Sequence, residues 1–254
     1  MGEPTGRRRF LKSSVGAIGV AAAGPATVVS NPASAAEPHA HPGNAKAAKY
    51  MFFSAAEVAF VDAAVARLIP ADELGPGAKE AGVTYFIDQQ LFGGWGAMAK
   101  MYRQGPYAEG TPQQGYQSPL TPQEVFRVAI REVNHQLGKP FEKLAAKEQD
   151  EVLKNLEEGK LALESVPSRF FFNLLLESTI DGFFADPIYG GNRDKIGWKL
   201  VGFPGVPPSN YNDLIDEHNV PYRVEPVSIL DIQQGKVKLD SQGLPRHVRL
   251  GETE

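Results

Sequence analysis

The sequence predicts a mainly α protein: a single irregular helical domain with long loops, led by a cleavable N-terminal signal and trailed by an extended C-terminal arm. Three observations point there. Capping boxes open stretches in which apolar residues recur every three or four positions, the spacing of an amphipathic helix. Glycine (26) and proline (20) are frequent but stay below the level of a low-complexity chain, so a folded body carries much loop. The first 35 residues have the three-part layout of an export address. At 254 residues, with 42% hydrophobic and 22% charged side chains, the chain is long enough to bury a core as one domain.

Composition removes several function classes before any motif is read. The chain has no cysteine, which excludes disulfides, thiolate-held zinc, iron–sulfur clusters, CxxCH haem attachment and a cysteine nucleophile within it. Any redox centre it works with belongs to another chain. A net charge of −4 and a pI near 5.8 argue against a nucleic-acid partner, which calls for clustered excess Lys and Arg.

The address, residues 1–35, begins Arg7-Arg8-Arg9-Phe10-Leu11-Lys12, continues through an uncharged Gly, Ala, Val and Ile stretch, and ends on Ala33-Ser34-Ala35, a small-x-small cleavage site. With Arg7 and Arg8 as the pair and Phe10, Leu11 and Lys12 behind them, it has the twin-arginine form used for proteins exported already folded. The stretch is short, Gly-rich and broken by Pro25, unlike a membrane anchor of about 20 apolar residues. Cleavage after Ala35 removes four basic residues and one acidic one, leaving 22 Lys and Arg against 29 Asp and Glu, a net charge of −7. Residues 36–51 are expected to be a flexible linker, in which His39-x-His41 lacks a third metal ligand and reads as a polar tail.

The folded domain is expected over 52–205. Ser54 and Glu57 make a capping box, with Phe53 and Val58 at the staple positions and Val58, Val61, Val65 and Leu68 on the buried face until Pro70. Residues 72–79 are a loop, and Val83, Phe86, Ile87 and Leu91 mark a short helix ended by Gly93-Gly94. The connection 93–119 carries Trp95, Tyr102, Tyr107 and Tyr116 among six glycines and three prolines, a length that is uncommon unless functional or packed on something. Thr121, Pro122 and Glu124 then open the clearest helix, with Val125, Phe126, Ala129, Ile130, Val133 and Leu137 inward and Gly138 at its end. His135 falls off that stripe. A more polar helix over 146–158 buries Val152, Leu153 and Leu156. Residues 170–176, Phe-Phe-Phe-Asn-Leu-Leu-Leu, are apolar all round, which predicts a central helix buried on all sides or one covered in part by another subunit. After 205 comes the extended arm 206–254, rich in proline, with a short strand expected at 227–232.

The most distinctive run is Phe183-Phe184-Ala185-Asp186-Pro187-Ile188-Tyr189-Gly190-Gly191-Asn192-Arg193-Asp194, continued by Gly197-Trp198-Lys199 and Gly202-Phe203-Pro204-Gly205. Asp-Pro starts a turn, Gly-Gly-Asn admits positive φ angles, and Trp198 with Phe203 can anchor the loop to the body. Asp186, Asn192 and Asp194 admit a calcium or magnesium reading, but their spacing is not that of an EF-hand, and side chains bonding their own backbone are the more favoured one. A phosphate-cradling glycine loop fails for want of its motif and a preceding strand.

This run resembles the hallmark of the gluconate 2-dehydrogenase subunit 3 family, the small subunit of membrane-bound flavoprotein sugar and sugar-acid dehydrogenases. Phe52-Phe53-Ser54-Ala55-Ala56-Glu57, Leu68-Ile69-Pro70-Ala71-Asp72 with Gly75-Pro76-Gly77-Ala78, Gly115-Tyr116-Gln117 and Leu120-Thr121-Pro122-Gln123-Glu124 follow in the same order. The resemblance is weakest after about residue 210. It implies a subunit with no catalytic residue, cofactor or metal of its own: FAD sits in the large partner, haem c in a cytochrome c subunit that passes electrons to the quinone pool. It further implies that the small subunit steadies the large one and provides its passage through the twin-arginine translocase, because a flavin-loaded enzyme crosses the membrane folded. The complex would then lie in the periplasm, held at the inner membrane by its partner subunits, and the choice of sugar or sugar acid would belong to the large chain.

Under this reading the docking surface comprises Trp95, Tyr102, Tyr107 and Tyr116 of the long connection, Asp186, Pro187, Tyr189, Gly190, Gly191, Asn192 and Arg193 of the distinctive run, and the anchors Trp198 and Phe203, since Tyr, Trp and Arg suit interface cores. The mature chain's His135, His218 and His247 are widely separated and lack a paired nucleophile motif, so a hydrolytic triad is not expected. The alternative class is a free-standing exported binding protein for a sugar or sugar acid. Its acidic balance is awkward for capturing an anion.

Overall fold

The computed structural model describes residues 49–108, 110–114, 117–206, 219, 222–237, 239, 241, 243 and 245. The signal residues Arg7, Arg8, Phe10, Leu11 and Lys12, and Tyr116 of the long connection, lie outside the described residues. Among the described residues seven α-helices follow one another: α1 Ala55–Leu68, α2 Val83–Phe92, α3 Pro122–Leu137, α4 Ala146–Glu157, α5 Ser168–Phe184, α6 Ile196–Val201 and α7 Ile229–Gln233, joined by loops and short 3-10 turns. Isolated β-bridges join Asp72 to Gly75, Gly205 to Val227 and Leu239 to Pro245. The mainly α expectation holds.

Several helices begin where the sequence supplies partners for otherwise orphaned backbone N–H groups, whereas α2, α5 and α6 start without a side-chain cap. The Ser54 side chain accepts from the Glu57 amide while the Glu57 carboxylate accepts from the Ser54 amide at 2.8 Å. Thr121 and Glu124 do the same for α3, at 2.7 Å for the return bond, and Gly138 at φ 64° turns the chain out of that helix. At α4, Glu148 reaches back to the Ala145 amide at 2.9 Å, a half-box because alanine offers no acceptor. The boxes at Ser54 and Thr121 are local, and sequence reading finds both.

The core is an aromatic cluster at which α1, α3, α5 and the turn Phe141–Lys143 converge. Phe60 lies 4.8 Å from Phe141 and 6.5 Å from Phe171 between ring centroids, and Phe126 meets Phe171 edge-on at 5.7 Å. All four rings are fully buried, and each such side chain contributes roughly 1.5–3 kcal/mol over leaving it exposed. Helix α5 packs against α1, α2, α3, α4 and α6, which makes it the central element. It is not buried on all sides, however. Arg169, Asn173, Glu177, Ile180, Asp181 and Phe184 form an exposed stripe, and Phe170 and Leu176 are only half-buried. The apolar run 170–176 supplies the covered faces, and the open stripe continues past it toward the C-terminal end.

A second departure concerns 227–232. This segment is a helix, α7, preceded by a single parallel bridge between Val227 and Gly205. The β-branched composition suggested a strand, but Ser228-x-x-Asp231 is a capping box: the Asp231 amide donates to the Ser228 hydroxyl at 3.0 Å and the Ser228 amide to the Asp231 carboxylate at 3.0 Å. Satisfying the first turn in this way outweighs the weak preference for extended backbone.

The strongest polar fixture was not legible in advance. Asp88, fully buried on α2, accepts hydrogen bonds from the consecutive amides of Met51, Phe52 and Phe53 at 2.7, 2.9 and 2.8 Å, and from Gln89 Nε2 at 2.9 Å. It therefore sets the path by which the chain enters α1. Arg127 of α3 covers the same entry, its guanidinium 4.3 Å above the Phe52 ring and bonded to the Phe52 carbonyl at 2.9 Å. By contrast the bidentate Arg67–Asp150 pair between α1 and α4, at 2.7 and 2.8 Å, is solvated. Burial decides the ranking: Asp88→Ala strands three amides and should cost about 3 kcal/mol in urea unfolding, whereas Asp150→Ala should cost no more than about 1 kcal/mol.

Candidate functional site

The distinctive run forms a closed loop on the C-terminal end of α5. Asp186 opens it: one carboxylate oxygen accepts from the Ile188 amide at 2.9 Å, turning the chain into the 3-10 turn Pro187–Tyr189, and the other accepts from the Ile229 amide of α7 at 2.8 Å. Gly190 then adopts φ 94°, where a Cβ would also strike the Tyr85 ring at 2.7 Å. Gly191 lies so close to α5 that a Cβ there would fall 2.2 Å from the Gly182 carbonyl oxygen. Both positions need glycine for these distinct reasons.

Asn192 closes the loop. Fully buried, its Nδ2 donates to the Ala185 carbonyl at 2.8 Å and its Oδ1 accepts from the Gly197 amide at 2.8 Å. Its backbone is left-handed at φ 45°, as are Asp194 at 56° and Lys195 at 58°. Such conformations cost free energy in non-glycine residues and persist only where surrounding contacts impose them. One such contact is the Arg193 amide, which donates to the Ala81 carbonyl at 2.9 Å and ties the loop to the start of α2. Trp198, buried on α6, donates its indole N–H to the Phe184 carbonyl at 2.7 Å and packs edge-on against Phe203 at 5.1 Å. The anchoring expected of Trp198 and Phe203 is present.

The segment 222–237 returns to brace this loop. Val206 donates to the Val227 carbonyl at 2.8 Å and Val227 to the Pro204 carbonyl at 3.0 Å. Lys195 Nζ reaches Asp231 at 3.0 Å and Glu225 at 3.5 Å, and Lys199 reaches Glu225 at 2.9 Å. Burial would raise the Asp231 carboxyl, but hydrogen bonds from Ser228 and the Lys195 ammonium outweigh it and hold the group below the ordinary aspartate value. Nearby, burial together with the Asp62 and Asp88 charges pushes the Tyr50 phenol up, against an opposing pull from Arg193. Tyr50 meets Tyr85 edge-on at 6.1 Å.

The residues expected to dock a partner divide into two sets. Gly191, Asn192 and Trp198 are buried within the chain, where they shape the loop and present no surface. Trp95, Tyr102, Tyr107, Tyr189, Arg193 and Phe203 are exposed, Tyr102 to 87%, and Asp186, Pro187 and Gly190 are half-buried. As for a cation, Asp186 and Asn192 bond backbone groups, and among the described residues no cluster of three or more His, Cys, Asp or Glu is placed to hold a metal ion. His135 is exposed, as its register on α3 predicts. Asp88, Glu225 and Asp231 escaped sequence reading. Of these only Asp231 left a local signal, its spacing from Ser228.

Two outcomes test the loop. Gly191→Ala should force Asn192 off its partners, lowering stability by about 2 kcal/mol and shifting Trp198 fluorescence to the red as its indole meets water. Asp231 has a depressed folded value, so its contribution is complete at neutral pH and is lost as the pH falls below the ordinary aspartate range. Amide exchange in 229–233 should therefore accelerate on acidification before exchange in the α1–α5 core does.

Comparison with curated proteins and with solved structures returned no match. The family model described as Gluconate 2-dehydrogenase subunit 3 matches residues 55–205, from the first turn of α1 through α6 and on to the Gly205 bridge. That span contains the aromatic core, Asp88 though not the three amides it holds, and the whole Asn192-pinned loop, and it covers more than half of the sequence. The chain belongs to the gluconate 2-dehydrogenase subunit 3 family, and is a subunit of an oxidoreductase complex.

Proposed function

We propose that this chain is the small, non-catalytic subunit of a periplasmic flavoprotein dehydrogenase that oxidises a sugar or sugar acid, and that it steadies the FAD-carrying large subunit and supplies that subunit's export signal. The observation that carries the reading is the family match over 55–205. The twin-arginine layout of residues 1–35 supports the export role, since a large subunit loaded with FAD in the cytoplasm must cross folded. The absence of cysteine fits a division of labour in which haem c is held by a separate cytochrome c subunit that hands electrons to the quinone pool. No helix among the described residues is long and apolar enough to cross a membrane. Attachment to the inner membrane is assigned to the partner subunits.

Replacing Arg7 and Arg8 by lysine tests the export role. The flavoprotein should then accumulate in the cytoplasm and its dehydrogenase activity disappear from the periplasmic fraction; undiminished export would overturn the shared-signal reading. Purification of the tagged chain from cells that also make the large subunit should bring down a yellow protein. A colourless monomer that binds gluconate would replace this reading with that of a free-standing exported binding protein.

A further inference from the structure

Five large apolar side chains stand exposed around the joint between α5 and α6: Ile180, Phe184, Leu200, Val201 and Phe203, each between 37% and 60% accessible. Ile180 and Phe184 are four residues apart and share the open stripe of α5. Phe184 sits beside Trp198, whose indole bonds its carbonyl, Phe203 packs on that indole, and Leu200 and Val201 end the helix that carries it. None of the five belongs to a flexible polar surface. Phe184 and Phe203 rest on the buried Trp198, and Ile180, Leu200 and Val201 stand on α5 and α6 themselves, so covering the five would order little that is not already ordered, which favours tight association.

We propose that this face docks the flavin-carrying subunit, an inference that rests on the functional reading above. Three observations choose the occupant. Membership of the family makes the chain a subunit of a dehydrogenase complex, and all five residues lie inside the matched span. The face is aliphatic and aromatic at its centre, like the core of a lasting hetero-interface and unlike the polar patch of a transient one. Glu177 and Asp181 flank Ile180 on the same stripe, and the exposed Lys199 beside Leu200 is paired with Glu225, so the border offers an anionic lipid surface no excess of positive charge. Of the docking residues expected from sequence alone, only Phe203 belongs to this face. The exposed aromatics Trp95, Tyr102 and Tyr107 lie on the long connection and not on the joint between α5 and α6.

The cysteine-free chain makes the test clean. Ile180→Cys, Val201→Cys and Tyr102→Cys chains are labelled with a fluorescent maleimide, alone and in the yellow complex purified after co-expression with the large subunit. Labelling at 180 and 201 should slow by about tenfold or more in the complex while labelling at 102 stays unchanged. Val201→Asp should weaken capture of the large subunit by about tenfold or more without altering the melting temperature of the isolated chain. Equal labelling at 180 and 201 in both forms, with a yellow complex in hand, overturns the docking face and leaves the functional reading standing. Failure to recover any flavin-bearing partner overturns both. Protection that depends on the concentration of the isolated chain, or on added phosphatidylglycerol vesicles, would assign the face to a second copy or to the membrane and overturn the proposal.

Discussion

The side-chain amide of Asn192 bonds in two directions at once, donating to the last turn of α5 and accepting from the first turn of α6. Because it is fully buried, neither bond competes with water, and losing either partner would leave a polar group stranded in the interior. This one residue fixes the length and direction of the loop between the two helices. Everything local follows from it: the contact of Gly191 with α5, the seat of Trp198 against Phe184, and the left-handed backbone through Lys195. The Lys195 ammonium is thereby brought beside Asp231 and Glu225.

A single central helix makes such a loop consequential. Helix α5 touches five other helices, so its C-terminal end is as rigid as the core that holds it. A loop tied there by backbone carbonyls inherits that rigidity without burying much surface of its own. The same arrangement leaves one stripe of α5 and the outer side of α6 uncovered and apolar. In an isolated globular chain, apolar groups gathered at one place would be covered by more chain; in a subunit they are the natural place for a second protein.

Much of this was readable beforehand because helix ends are local. Ser54 with Glu57 and Thr121 with Glu124 announced α1 and α3 to the residue, and the Asp-Pro and Gly-Gly-Asn steps announced the loop. The errors share a cause. At 227–232 composition suggested a strand although Ser228 and Asp231 already encoded a helix start, and residues 170–176 suggested burial on all sides because the exposed stripe of α5 emerges mainly through 177, 180, 181 and 184. Gly191, Asn192 and Trp198 were grouped with surface candidates, since sequence shows that a loop is unusual and is silent on which of its side chains face inward.

From the sequence alone one could determine the helical class, the order of most elements, the absence of a thiolate-bound redox centre and the family resemblance, because each depends on residues near one another in the chain or on composition. Only the tertiary structure decided that Asp88 captures three amides more than thirty residues away, that Asp186 holds α7 as well as its own turn, and that Trp198 seats against Phe184 at the end of α5. Those pairings join positions distant in sequence. Their energies come from burial and geometry, which no spacing of residues records.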